Sequence, residues 1–147
     1  MSGKTGKVTW VEGLTFEGES GSGHKIMLDG SVEGGGADKG ARPTELLLEA
    51  LAGCTAMDVI SILKKKKQPI EGLEVIAHGH QNEEYPHSFK AITVEYVAYG
   101  DGIDPEALAR AVELSETKYC AVSATLAGVA KITTMSRVAP ARHKTPA

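Results

Sequence analysis

The sequence predicts an α+β protein, in which short strands are segregated from one long helix and one or two shorter helices. The first observation behind this is the longest apolar-rich run of the chain, residues 42–67, which carries helix signals at both ends. The second is the alternation of apolar and polar residues in short segments on both sides of that run. The predicted order is three strands, the long helix, two strands, one or two helices and a final strand. At 147 residues, we expect one domain over 1–147.

The segments before the long helix are predicted to form a three-stranded meander. Residues 7–12, 14–19 and 24–29 alternate and are separated by glycine turns. Residues 30–40, GSVEGGGADKG, have no periodicity and contain five glycines. They predict a mobile loop that delivers the chain to the helix.

The run 42–67 predicts one long helix. Pro43 suits a first helical turn, Glu45 and Glu49 suit the positive end of the helix dipole, and the lysines 64–67 suit its negative end. Pro69 then ends the helix. Apolar side chains occupy more than one face, so we expect the helix to be packed nearly all round. Polar residues interrupt them, which argues against an uninterrupted membrane span.

A second hairpin and a second helix follow. Residues 72–80 and 88–99 alternate as two strands. Asp104 followed by Pro105 is typical of a helix start, and apolar residues recur at helical spacing over 105–119.

The last part of the chain predicts a break, a short helix and a strand. We expect the helix to break at Cys120, with Ser123 capping a short apolar turn or helix that ends at Ala127. Residues 131–138 alternate as the final strand, and the composition of 139–147 predicts a disordered tail.

Composition narrows the class of function. The net charge is −3, aromatic residues make up 5%, and the chain has no concentrated basic face. Neither nucleic acid nor an anionic membrane is therefore indicated as a partner. The first ten residues contain no apolar signal core, so we expect a cytoplasmic protein with reduced thiols. A bond between Cys54 and Cys120 would then serve chemistry rather than architecture.

The two cysteines are the main candidates for chemistry, although a single buried cysteine is more often structural. Cys120 lies at a helix junction, where backbone N–H groups of the next helix could stabilise a thiolate. Asp58 shares a helical face with Cys54, and a nearby carboxylate raises a thiol pKa. Asp58 and Ser61 are expected to satisfy local or interhelix hydrogen bonds. Spacing alone does not decide whether the two cysteines meet.

An alternative hypothesis is that histidines and cysteines of this chain form a metal site. His78 and His80 share one face of a predicted strand and could combine with His24, His87 and the cysteines. The chain has no CxxC or HExxH spacing, so a polar strand face is the simpler interpretation.

Three segments together resemble the OsmC/Ohr family of osmotically inducible and organic hydroperoxide resistance proteins, in its uncharacterised OsmC-like branch. They are ESGSGHKIMLDG, RPTELLLEALAGCTAMDVISIL and KYCAVSATL. The resemblance implies an OsmC-like fold, with antiparallel sheets wrapped around long central helices in an intertwined homodimer. It also implies two sites at the subunit interface.

The chemistry that the resemblance implies is peroxide reduction. Cys54 would be the peroxidatic nucleophile, and Cys120 would resolve its sulfenic acid as a disulfide. An external dithiol, of the lipoyl type or another thiol, would reduce that disulfide. The family needs no bound cofactor or metal, and its role is defence against oxidative stress.

The sequence departs from the family pattern around its catalytic arginine. The family takes this arginine from the N-terminal strands or the loop after them, but this chain has no arginine before Arg42. The helix-start glutamate is also displaced by one position, which turns a helical side chain by about 100°. Arg42, or a lysine in its place, is the candidate for thiolate activation, and Glu45 is the candidate for arginine positioning, with Glu49 as a second choice. The alternative is a non-catalytic homodimer of the same fold, with structural cysteines, that binds a small molecule.

Overall fold

A computed structural model describes residues 3–141. The chain forms two compact units that divide between Leu47 and Leu48. The elements run in the order β1 Gly6–Glu12, β2 Thr15–Ser20, β3 Lys25–Leu28, α1 Pro43–Lys65, β4 Gly72–Gln81, β5 Phe89–Tyr99, α2 Pro105–Leu114, a π-helical turn Ser115–Tyr119, α3 Ala121–Leu126 and β6 Lys131–Ala139. The α+β class and the predicted element order are confirmed.

The first unit contains a three-stranded antiparallel sheet in the order β1-β2-β3. Glycine turns join the strands, as the sequence predicts. Trp10 pairs with Phe16 across β1 and β2, and the Trp10 side chain is 64% exposed. All seven residues of β1 are exposed in the single chain, so this sheet leaves apolar side chains uncovered.

The segment 30–40, predicted to be mobile, is instead held by one buried carboxylate. Asp29 is 2% exposed and accepts hydrogen bonds from the Thr15 hydroxyl and from the backbone N–H groups of Gly30, Ala37 and Lys39. Burial by itself raises the pKa of Asp29, but these hydrogen bonds outweigh burial and the pKa is lowered. The connector is therefore a folded loop.

Two glycines of this loop serve close packing. A Cβ on Gly36 would overlap the backbone of Gly30, and a Cβ on Gly40 would overlap the backbone of Met27 and Leu28. The lack of room for a Cβ explains these two glycines better than a need for flexibility does.

Helix α1 buries a single stripe within the chain. Its buried residues recur every four positions, at Leu51, Thr55, Val59 and Leu63. The expected packing on nearly every face is not present in the single chain, where Met57 is 76% exposed. By length and composition alone α1 could cross a membrane, but core helices of soluble proteins pass the same test.

The second sheet has the order β4-β5-β6 and is mixed. β4 and β5 form the predicted antiparallel hairpin, but β6 pairs parallel to β5. The expectation of purely antiparallel sheets is therefore wrong here. The reason is the connection between β5 and β6, which runs through α2, the π turn and α3, and a crossover of this length lets the chain return in the same direction. Alternate residues of β5 pack against α1 and α2 in one core, among them Ile92, Val94 and Tyr96.

The helical crossover follows the prediction with one change of geometry. Asp104 caps α2 by accepting the N–H of Glu106, and Pro105 is the first helical residue. The α-helical part ends at Leu114, after which Ser115–Tyr119 form a π turn. The break at Cys120 is confirmed.

The end of the described chain is ordered further than expected. β6 extends to Ala139, and the N–H of Ala141 donates to Asp101. The predicted disordered tail, 139–147, thus overlaps the strand at its start, whereas 142–147 lie outside the described residues.

Candidate functional site

The two cysteines come together in the second unit. Cys54 lies on α1 and is partly exposed, whereas Cys120 is 3% exposed at the junction between the π turn and α3. Both are free thiols. Burial raises the pKa of Cys120 to about 11, and a side-chain hydrogen bond with Cys54 adds to the rise. The Cys120 thiol therefore keeps its proton at neutral pH.

The junction supplies backbone donors to Cys120. The N–H of Ser123 donates to Cys120 Sγ at 3.3 Å, so Cys120 caps α3 and the predicted cap, Ser123, is instead the donor. The predicted stabilisation of a thiolate by this helix is present, since the N–H groups of Val122 and Ser123 lower the pKa of Cys120. Burial and Cys54 outweigh it.

A buried chain of hydroxyl groups lies beside the cysteines. Thr55 Oγ1 is 2.8 Å from Tyr96 Oη and 2.8 Å from Ser115 Oγ, and Ser115 Oγ donates to Asp58 Oδ2 at 2.8 Å. Thr55, Tyr96 and Ser115 are each 2% exposed or less. Asp58 thus satisfies an interhelix hydrogen bond, as the sequence predicts.

One hydrogen per hydroxyl determines the direction of this chain. Ser115 uses its hydrogen on Asp58, so Thr55 donates to Ser115 and Tyr96 donates to Thr55. Burial raises the pKa of Tyr96 to about 12, against a lowering by its hydrogen bond with Thr55. Tyr96 is therefore a neutral phenol that donates a proton into the chain and ends it inside the core.

A cavity of about 390 Å³ opens beside the Asp58 end of this chain. Its lining combines apolar side chains with two cations of the lysine run, and includes Asp58, Ile62, Lys65, Lys66, Leu114 and Tyr119. The cavity has the size of a small-molecule site.

Arg42 and Glu45 lie at the start of α1 and are bonded locally. The Arg42 guanidinium donates to Asp38 at 2.6 Å and to the Gly40 carbonyl at 3.1 Å, and its hydrogen bond with Asp38 raises the pKa of Arg42. Glu45 Oε1 accepts the backbone N–H of Arg42 at 2.9 Å, as one half of a capping box. Both residues belong to the first unit and the cysteines to the second, so the predicted role of this pair toward Cys54 stays a prediction.

The histidines of residues 3–141 were predicted, as an alternative, to combine with the cysteines in a metal site. Within residues 3–141, no group of three His, Cys, Asp or Glu side chains is arranged to hold a metal ion. His78 and His80 lie together on the exposed face of β4, as the simpler interpretation predicts.

Sequence reasoning missed Thr55, Ser115 and Tyr96. Thr55 and Tyr96 are common residue types in mainly apolar segments, Ser115 lies among polar residues, and Thr55 and Ser115 are far apart in the chain. The available signal was polarity at a buried helical position, because a hydroxyl there requires a partner.

The chain is similar to several known proteins. Residues 35–135 match the family described as OsmC-like protein. Protein YhfA of Escherichia coli strain K12 is 43% identical over 127 residues, a match that covers 86% of this chain and 92% of YhfA. A hypothetical protein from Aquifex aeolicus VF5 is 30% identical, with a TM-score of 0.84 over 97% of this chain and 100% of that one. The organic hydroperoxide resistance protein OhrB of Bacillus subtilis is 18% identical, with a TM-score of 0.65 over 90% of this chain and 98% of OhrB, a likeness of fold.

Proposed function

The chain belongs to the OsmC-like protein family, which includes hydroperoxide reductases, and from this we propose that it is a cysteine-dependent peroxidase of organic hydroperoxides. The observation that carries the proposal is the asymmetric thiol pair. Cys54 is partly exposed and can meet a substrate, whereas Cys120 is buried, protonated and in contact with Cys54. An accessible cysteine with a second thiol beside it is the arrangement that sulfenic acid formation and disulfide resolution use.

In the first step, the Cys54 thiolate attacks the distal oxygen of the hydroperoxide. An S–O bond forms, the O–O bond breaks, and the alkoxide takes up a proton and leaves as the alcohol. Cys54 is oxidised to a sulfenic acid and the peroxide is reduced.

In the second step, the Cys120 sulfur attacks the Cys54 sulfur. The S–S bond forms as the S–O bond breaks, and the hydroxide that leaves takes the Cys120 proton to become water. Because burial raises the pKa of Cys120 to about 11, the thiol still carries this proton when it attacks and can give it to the leaving hydroxide. An external dithiol, of the lipoyl or another type, then reduces the disulfide and is itself oxidised.

The proposal includes a homodimer in the cytoplasm, with a role in oxidative stress. Support for the dimer comes from α1, which buries one stripe and leaves Met57 and Leu47 exposed. A second copy would cover these apolar side chains and remove them from water.

Intact mass with thiol counting tests the proposal. Reduced protein is treated with one equivalent of an organic hydroperoxide, and we expect both thiols to disappear with the loss of two hydrogens and a linkage between Cys54 and Cys120. Cys54→Ser should leave the hydroperoxide unconsumed. Cys120→Ser should complete a first turnover and then stall as a sulfenic acid or over-oxidise. Survival of both thiols in the wild type would refute the peroxidase function.

The cavity beside Asp58 favours a second candidate, a non-catalytic homodimer that binds a small molecule and has structural cysteines. Ligand-observed NMR screening of small amphipathic molecules tests it, with Ile62→Trp as a variant that fills the cavity. Ligands that bind the wild type and the Ile62→Trp variant equally well would exclude the cavity as their site.

A further inference from the structure

We propose that Thr55 and Ser115 are positioning residues that hold Cys120 against Cys54 for disulfide formation, an inference that rests on the proposed peroxidase function. The starting point is a closed ring of contacts in the second unit. Thr55 follows Cys54 directly on α1, and its hydroxyl is 2.8 Å from that of Ser115. The Ser115 carbonyl accepts the N–H of Cys120 at 2.7 Å. The side-chain hydrogen bond between Cys120 and Cys54 then closes the ring.

Ser115 is held at every polar atom that it has. Its N–H donates to the carbonyls of Ala111 and Val112, its carbonyl binds Cys120, and its hydroxyl accepts from Thr55 and donates to Asp58. The residue is 0% exposed. With no water to replace a lost partner, this residue transmits the position of α1 to the backbone of Cys120.

The π turn explains why such a tie is needed. The bond from Cys120 N–H to Ser115 O spans five residues, which is the wider π geometry, and such turns are less favourable than a regular α-helix. The hydroxyl bonds from α1 hold its first residue in place. The turn then presents Cys120 toward α1 in an extended conformation, with φ −77° and ψ 105°.

Tyr96 supplies a matched control within the same cluster. Its hydroxyl bonds to Thr55 at 2.8 Å and is buried to the same degree, but it lies outside the ring that joins the cysteines. Tyr96→Phe therefore removes one buried hydrogen bond and leaves the ring closed. If Thr55→Val and Ser115→Ala acted only by lowering stability, they should have the same effect as Tyr96→Phe.

The test is the reduction potential of the Cys54–Cys120 disulfide, measured in mixtures of reduced and oxidised dithiothreitol. Disulfides are formed beforehand with diamide, so the readout needs no peroxidase activity. Thr55→Val and Ser115→Ala should each lower the effective concentration of one thiol at the other about tenfold, which makes the potential less negative by about 30 mV for a two-electron couple. Thr55→Ser retains the hydroxyl and should keep the wild-type potential, as should Tyr96→Phe.

The outcomes separate positioning from stability and from the proposed function. Urea unfolding of each reduced variant gives the stability loss for comparison. If Tyr96→Phe shifts the potential as much as Thr55→Val, or if neither Thr55→Val nor Ser115→Ala shifts it, the positioning role is wrong. Should Thr55→Val not fold, Ser115→Ala decides. Intact thiols in the wild type after hydroperoxide treatment would instead overturn the peroxidase function, whatever the potentials show.

Discussion

Oxidation to the Cys54–Cys120 disulfide should make the protein more stable. The bond closes a loop of about 67 residues, for which the loss of chain entropy in the unfolded state corresponds to ~4 kcal/mol at 25 °C. Strain in the native state would reduce this value, although the side chains of Cys54 and Cys120 already interact in the reduced protein. We therefore expect a gain of about 2–4 kcal/mol in the free energy of unfolding.

Urea unfolding at one protein concentration measures this gain. Protein treated with one equivalent of hydroperoxide is compared with reduced protein, after the linkage has been mapped by mass. With a urea dependence of about 2 kcal/mol/M, the unfolding midpoint should rise by about 1–2 M. Cys120→Ser, treated in the same way, shows what oxidation of Cys54 alone does. A mapped disulfide with no gain in stability, or with a loss, would refute the reasoning that the native fold holds the two sulfurs ready to bond.

Three further predictions concern stability and assembly. Burial raises the pKa of Cys120 from 9.0 to about 11 and the pKa of Tyr96 from 10.0 to about 12. The contribution of these neutral groups to stability is therefore complete below the pKa values of the unfolded chain and should be lost as pH rises through the pKa values of the folded chain. Urea unfolding between pH 9.0 and 12 measures this loss, and Cys120→Ala should remove the part of it that occurs at lower pH. The pKa of Asp29 is lowered, so its contribution is present above 3.8 and should be lost in acid; Asp29→Asn should abolish that acid step and speed amide exchange over 30–40, and unchanged exchange would contradict the anchoring role. Met57→Glu should shift the proposed homodimer toward monomer in light scattering, whereas an undisturbed dimer would exclude Met57 from the interface.

Local pattern was sufficient to predict most of the fold. Alternation located the strands, and the proline and capping signals at Pro43 and Asp104 located the helix starts to within a residue or two. The parallel pairing of β6 was not predictable in this way, because alternation describes the faces of one strand and contains nothing about the direction of its neighbour. The ordered conformation of segment 30–40 was missed for a related reason. It depends on Asp29 accepting hydrogen bonds from residues up to ten positions away in the chain.

The residues of the candidate site also differ in whether the sequence alone identifies them. Cys54 and Cys120 were identifiable from their residue type and their resemblance to a family. Thr55 and Ser115 were not, because their hydrogen bond joins segments that only the folded chain brings together. The partial exposure of α1 also has a physical reason: apolar composition shows that a face will be covered, but not whether the cover comes from the same chain.

The π turn makes the proposed disulfide chemistry depend on the number of residues between Leu114 and Cys120, as well as on their identity. Loss of one residue from this segment would restore regular α-helical bonding and would turn everything after it by about 100° about the helix axis. Cys120 would then face away from α1, even though both cysteines and all hydroxyl partners remained in the sequence. The length of the segment between α2 and Cys120 is therefore as much a requirement of the proposed site as the cysteines themselves. A related chain that keeps both thiols but lacks the extra residue would direct its second sulfur away from the first.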